Sequence, residues 1–87
     1  MLEAAVAAWL VLQPPARFDY PNDTMTVLRR DTAEIIDICG QRNVACAYFD
    51  GGRCFVVIPH GAPDDGMIYR HEQAHCNGWP RHHPTSG

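Results

Sequence analysis

Residues 70–84 read RHEQAHCNGWPRHHP, and the fold reading turns on them. His71, Glu72 and His75 form the pattern His-Glu-x-x-His. On a helix, residues four apart stand one turn apart on the same face, so both imidazoles reach one tetrahedral metal. Glu72 adjoins the first of them and points toward the position that a metal leaves open, where a carboxylate accepts a proton without being a ligand. The spacing predicts a helix from residue 67 to about residue 77. Gly78 suits a left-handed stop, and Trp79-Pro80 prevents continuation. The preceding PHGAPDDG of residues 59–66 is a loop, in which Asp64 or Asp65 is placed to cap the helix.

A zinc site still needs a third protein ligand. Four of the five histidines lie within residues 71–83. A turn at Gly78 brings the chain back and offers His83, with His82 as the alternative. Zinc is therefore the expected cofactor. The bland reading of the same residues is a surface helix with an i,i+4 histidine pair, a solvated Glu72 and an irregular tail.

The segment resembles the extended motif of metzincin-type zincins, in which a Gly and then a further His follow the second His at fixed intervals. Gly78 matches that pattern. Arg81 stands where the family has its third His, so His82 is one residue late and His83 two. No Met follows the site, so the family's Met-turn is absent. GWPRHHP is also similar to a group of small bacterial proteins with HExxHxxGWP and a later His-Pro, in which His83-Pro84 is the matching pair. The resemblance is tight over residues 70–84 and loose over the rest. It implies a zincin-like metallopeptidase acting on a peptide or protein substrate, with Glu72 as general base in water attack on a peptide or amide bond. Beside it stands a second class: a non-catalytic zinc-binding or interaction module whose metal contributes folding energy to a small core. Glu72 leans toward the enzyme, since a structural site needs no base. The short chain leans away, since little is left to form a cleft.

The remaining chain supplies a scaffold. TMTVLRR at residues 24–30 has strand composition. Asp31 and Glu34 have capping-box spacing for a helix from Thr32, with Ile35, Ile36, Ile38 and Cys39 as its apolar face and Gly40 as its stop. Residues 44–49 and 54–58 read as strands joined by Asp50-Gly51-Gly52-Arg53, a strong hairpin signal. With Gly51-Gly52 as the loop, Phe49 faces Cys54 and Cys46 faces Val57. The expected fold is α+β: a small antiparallel sheet of about three strands, the metal-bearing helix and one further helix. This is a minimal zincin-like domain over residues 1–87, with residues 54–58 as a candidate edge for an extended peptide.

Composition agrees with a small domain. The chain has 87 residues, 46% hydrophobic and 20% charged, enough for one modest core that a metal or disulfides would reinforce. Net charge is −3, and the basic residues are scattered arginines, so no stripe for nucleic acid exists. Cys46 and Cys54 point to opposite faces of the hairpin and should not bond. Four cysteines can pair in three ways, and that leaves Cys39–Cys46 with Cys54–Cys76 as the preferred pairing, or no bonds. Bonded cysteines imply a periplasmic or secreted protein, free ones a cytoplasmic one. AAVAAWLVL at residues 4–12 is too short to span a membrane. Within residues 1–16 it reads as a short helix stopped by Pro14 or as an imperfect export signal.

Weaker candidates are His60 as a loop ligand or oxyanion donor, and Tyr48 and Tyr69 as carbonyl polarisers, with solvation or packing the default for each. Trp79 is expected to cover the helix end and shield the metal. Asn77 is expected to bond locally, and Cys76 to turn toward the sheet.

Overall fold

In this computed structural model residues 13–84 are described, and the apolar run at residues 4–12 lies outside them. Gly51 and Gly52 have φ of 61° and 80°, the left-handed backbone that a two-residue type I′ turn demands. The turn joins β2 (Cys46–Asp50) to β3 (Arg53–Pro59) antiparallel. Phe49 stands opposite Cys54 and Cys46 opposite Val57, the register read from the sequence. β1 (Thr26–Arg30) lies on the other side of β3 and runs parallel to it, with Val27 opposite Val56.

The sheet is thus mixed, in the order β1-β3-β2, and not antiparallel throughout as expected. The cause is helix α1 (Thr32–Cys39), which follows β1 after a single residue. It crosses the sheet and leaves the chain at the end where β1 finishes, with its last residue, Cys39, bonded to Cys46 at the start of β2. So β2 runs against β1, and the hairpin returns β3 parallel to it. β3 becomes the central strand. Residues 54–58 are therefore not an edge; β1 and β2 are. Val56, Val57 and Ile58 are all 0% exposed, a consecutive apolar run that only a strand covered on both faces can sustain. Truncating Ile58 to Ala would cost about 2–5 kcal/mol.

Each face is covered by one helix and stapled by one disulfide. α1 begins on the capping box, with the Asp31 amide donating to Glu34 Oε1 at 3.3 Å. It ends at Gly40 (φ 99°) and is bonded to β2 through Cys39–Cys46. α2 (Met67–Cys76) is bonded to β3 through Cys54–Cys76. Cys46 and Cys54 point to opposite faces, so the two staples hold the helices on opposite sides. On the α2 side, Ala45, Val56, Ile58 and Ala62 form the core, with Val27, Ile68 and Tyr69 packed against it.

Two expectations about α2 are corrected. Its N-cap is Gly66 without a side-chain cap, not Asp64 or Asp65. Asp64 is drawn instead to Arg29 at 2.6 Å. Glycine is needed at position 66, since a Cβ there would lie 2.7 Å from Pro63 Cγ. Asn77 bonds locally through its backbone amide only, to the Gln73 and Ala74 carbonyls at 3.0 Å; its Nδ2 donates to the carbonyls of Phe18 at 2.9 Å and Tyr20 at 2.8 Å. The Asn22 amide donates to Gln73 Oε1 at 3.2 Å, and Arg70 Nε donates to Asp19 Oδ1 at 3.0 Å. Arg70, Gln73 and Asn77 share a helical face, so the loop at residues 18–22 becomes a strap across α2. Arg70 holds the Asp19 carboxyl below the usual carboxylate range through this hydrogen bond and its charge. Among the described residues, no helix is long and apolar enough to cross a membrane.

Candidate metal centre

α2 places His71 and His75 one turn apart, and buries His71, Glu72, Gln73 and Ala74. At its end Gly78 takes φ 107°, which turns the chain back so that Trp79 lies over the last turn. The Trp79 carbonyl accepts a hydrogen bond from His75 Nδ1 at 2.8 Å. Pro80 opens a tight turn: the His83 amide donates to the Pro80 carbonyl at 2.9 Å, and His83 itself has φ 60°. The Trp79 indole N–H donates to the Pro84 carbonyl at 2.8 Å and anchors the far side of the turn. His83 is delivered to the helix face by this sequence of contacts.

The three imidazoles converge. His75 Nε2 lies 3.3 Å from His71 Nε2 and 3.1 Å from His83 Nε2. The ring centroids form a nearly equilateral triangle, with sides of 5.0, 4.9 and 4.9 Å. Nitrogens bound tetrahedrally at the usual zinc distance stand about 3.3 Å apart, and two of the three separations match that edge. With Nδ1 donating to Trp79, His75 Nε2 has one lone pair. The three side chains form a group whose ligand atoms all lie within 4.8 Å of one another, close enough to hold one metal ion. His82 is exposed and outside the cluster.

Electrostatics suit neutral ligands. His75 is held below its ordinary value by burial, opposed by the Trp79 hydrogen bond and reinforced by the Arg81 charge. His83 is lowered by burial, then by His75 and His82. Glu72 is 7% exposed, and burial alone raises its carboxyl to about 7. It lines the same cleft of about 220 Å³ as the three histidines, together with Ala45, Ala47 and Arg81. Half of such a group is ionised near neutral pH, the condition that favours general acid–base exchange.

Trp79, 2% exposed, packs its ring 4.9–5.1 Å from all three imidazoles, as expected of a cover. Cys76 turns to the sheet and bonds Cys54. His60 is not drawn in; it meets Asp31 at 3.1 Å on the surface. Tyr69 packs on the core, and Tyr48 stacks on Phe55 at 5.2 Å. Sequence reasoning missed Arg81 as a cleft residue and Asn22, Asp19 and Gln73 as the strap. The strap contacts join residues 51 apart in the chain, too far for any local pattern to reveal, and Arg81 enters the cleft only through the turn after Gly78. Comparison with family models, curated proteins and solved structures finds no match for this chain.

Proposed function

We propose that the protein is a zinc-dependent hydrolase of peptide or amide bonds, with His71, His75 and His83 as ligands and Glu72 as general base. The observation that carries this reading is the convergence of three imidazole nitrogens on a cleft that Glu72 also lines. Three histidines with an open fourth place are the donor set of catalytic zinc sites. Zinc in such a set acts as a Lewis acid toward a carbonyl and acidifies water. Glu72 takes a proton from the attacking water as its oxygen joins the carbonyl carbon. It returns that proton to the nitrogen as the carbon–nitrogen bond breaks. The extended substrate pairs with the free edge of β2, which borders the cleft, and not with the central β3.

Two disulfides in so small a chain support an exported protein, since such bonds persist in oxidising compartments. One observation favours the module with a structural metal: Trp79 closes one side of the histidine cluster. The zinc-loaded chain and its Glu72→Gln variant, assayed on a peptide library, separate the readings. Cleavage that falls a hundredfold or more in the variant, about the size of general base catalysis, supports the enzyme. Zinc retained by both with equal activity would remove Glu72 from the reaction.

A further inference from the structure

A groove of about 620 Å³ borders the metal cleft. Its walls include Ile38, Ala47, Phe49, Trp79, Pro80 and Arg81. All of residues 46–49 line it, yet successive strand residues point to opposite faces. The groove therefore follows the outer edge of β2 and not one face of the sheet. That edge pairs with no other strand among the described residues, so its backbone donors and acceptors are open to an added chain. Ile38 and Phe49 are 45% and 62% exposed there, large apolar side chains left open among the described residues.

Arg81 is the one side chain of this wall with a permanent charge, and it also lines the metal cleft. It thus stands where the two spaces join. Among the described residues no carboxylate pairs with it; the ion pairs there involve Arg29, His60 and Arg70. Its backbone is fixed on both sides, by Pro80 and by the turn that closes at His83. An exposed guanidinium on a constrained turn, without an acidic partner among the described residues, is suited to bidentate recognition of a carboxylate.

We propose that the groove binds an extended peptide segment that presents a carboxylate to Arg81 and seats an adjoining bulky apolar side chain between the β2 edge and Trp79. This names a substrate class for the hydrolase reading and rests on that reading only for what happens to the segment after it binds. The carboxylate has two sources in a peptide, a free C-terminus or an acidic side chain, and both present the same group to the guanidinium.

Calorimetry on the full chain with its disulfides intact tests this. Three probes are used: acetyl-Ala-Ala-Phe with a free carboxylate, the same peptide as its amide, and acetyl-Ala-Asp-Phe amide. Each is titrated into the zinc-loaded Glu72→Gln variant, which prevents turnover, and into the metal-free wild type. At least one carboxylate peptide should bind tenfold or more tightly than the neutral amide, and the better of the two identifies the source. Arg81→Ala should erase the preference, and Arg81→Glu should invert it. Arg81 is exposed, so both variants should melt with the wild type. Replacing Phe by Ala in the best probe should weaken it in every protein. Equal binding of acidic and neutral probes, a preference that survives Arg81→Ala, or no binding by any probe overturns the proposal. A preference kept by metal-free protein in a chain that binds no zinc would uphold the groove and defeat the hydrolase reading instead.

Discussion

His75 Nδ1 donates to the backbone carbonyl of Trp79 at 2.8 Å, and this bond fixes which nitrogen of His75 faces the cleft. The donor must carry the proton, so Nε2 presents a lone pair. Nitrogen NMR of the metal-free protein above pH 7 should find His75 as the Nδ1–H tautomer. A protonated Nε2 would place the lone pair on the wrong side and remove His75 from the ligand set.

The turn from Pro80 to His83 makes a second expectation. His83→Ala should weaken zinc binding on the order of a hundredfold or more, as loss of a ligand does. His82→Ala should change it little, because His82 is exposed and outside the cluster. The opposite ranking would assign the third ligand to His82 and imply a different turn.

Glu72 makes a pH prediction for the metal-free protein. Its carboxyl is raised from the ordinary 4.5 to about 7 by burial. It binds its proton more tightly in the fold, so it withdraws stability as pH rises from 4.5 through about 7. His75 and His83 are lowered, so their contribution has the other sign: the fold loses stability as pH falls below 6.5. Comparing wild type with Glu72→Gln at each pH cancels the histidines. The variant should gain on wild type across that window, by up to about 3 kcal/mol at pH 8. Denaturant melts that differ by the same amount at pH 4 and pH 8 would contradict the buried carboxyl.

The two disulfides differ in the loops they close, with sequence separations of 7 for Cys39–Cys46 and 22 for Cys54–Cys76. Chain entropy assigns them about 2.4 and about 3.4 kcal/mol. Alanine pairs at positions 54 and 76 should therefore destabilise more than pairs at 39 and 46. Peptide mapping of the oxidised protein should recover those two bonds and no Cys46–Cys54 link. Finding that link would break the hairpin register.

What was legible in the sequence was local. Gly51-Gly52 set the hairpin register, Asp31 and Glu34 set the start of α1, and the spacing of His71 and His75 put both imidazoles on one face of α2. Alternation along two strands excluded a Cys46–Cys54 bond, while the choice between the remaining pairings depended on where the two helices pack. The parallel placement of β1 was not legible, because it depends on how α1 packs across the sheet and no residue in β1 records it. For the same reason residues 54–58 read as an edge from sequence, while β1 and β2 are the edges of the folded sheet. The strap of Asp19 and Asn22 on Arg70, Gln73 and Asn77 joins polar residues that look ordinary in isolation. Burial of Glu72, the source of its raised pKa, is likewise a property of the packed helix alone.

The central claim is a three-histidine zinc centre with an open place beside Glu72. Zinc X-ray absorption on the chain loaded with one equivalent of the metal tests it most directly. The account predicts one zinc per chain bound by three imidazole nitrogens at about 2.0 Å and one further light atom, with one imidazole lost in His83→Ala and none in His82→Ala. Failure to retain stoichiometric zinc, or a closed shell of four protein ligands, would contradict it.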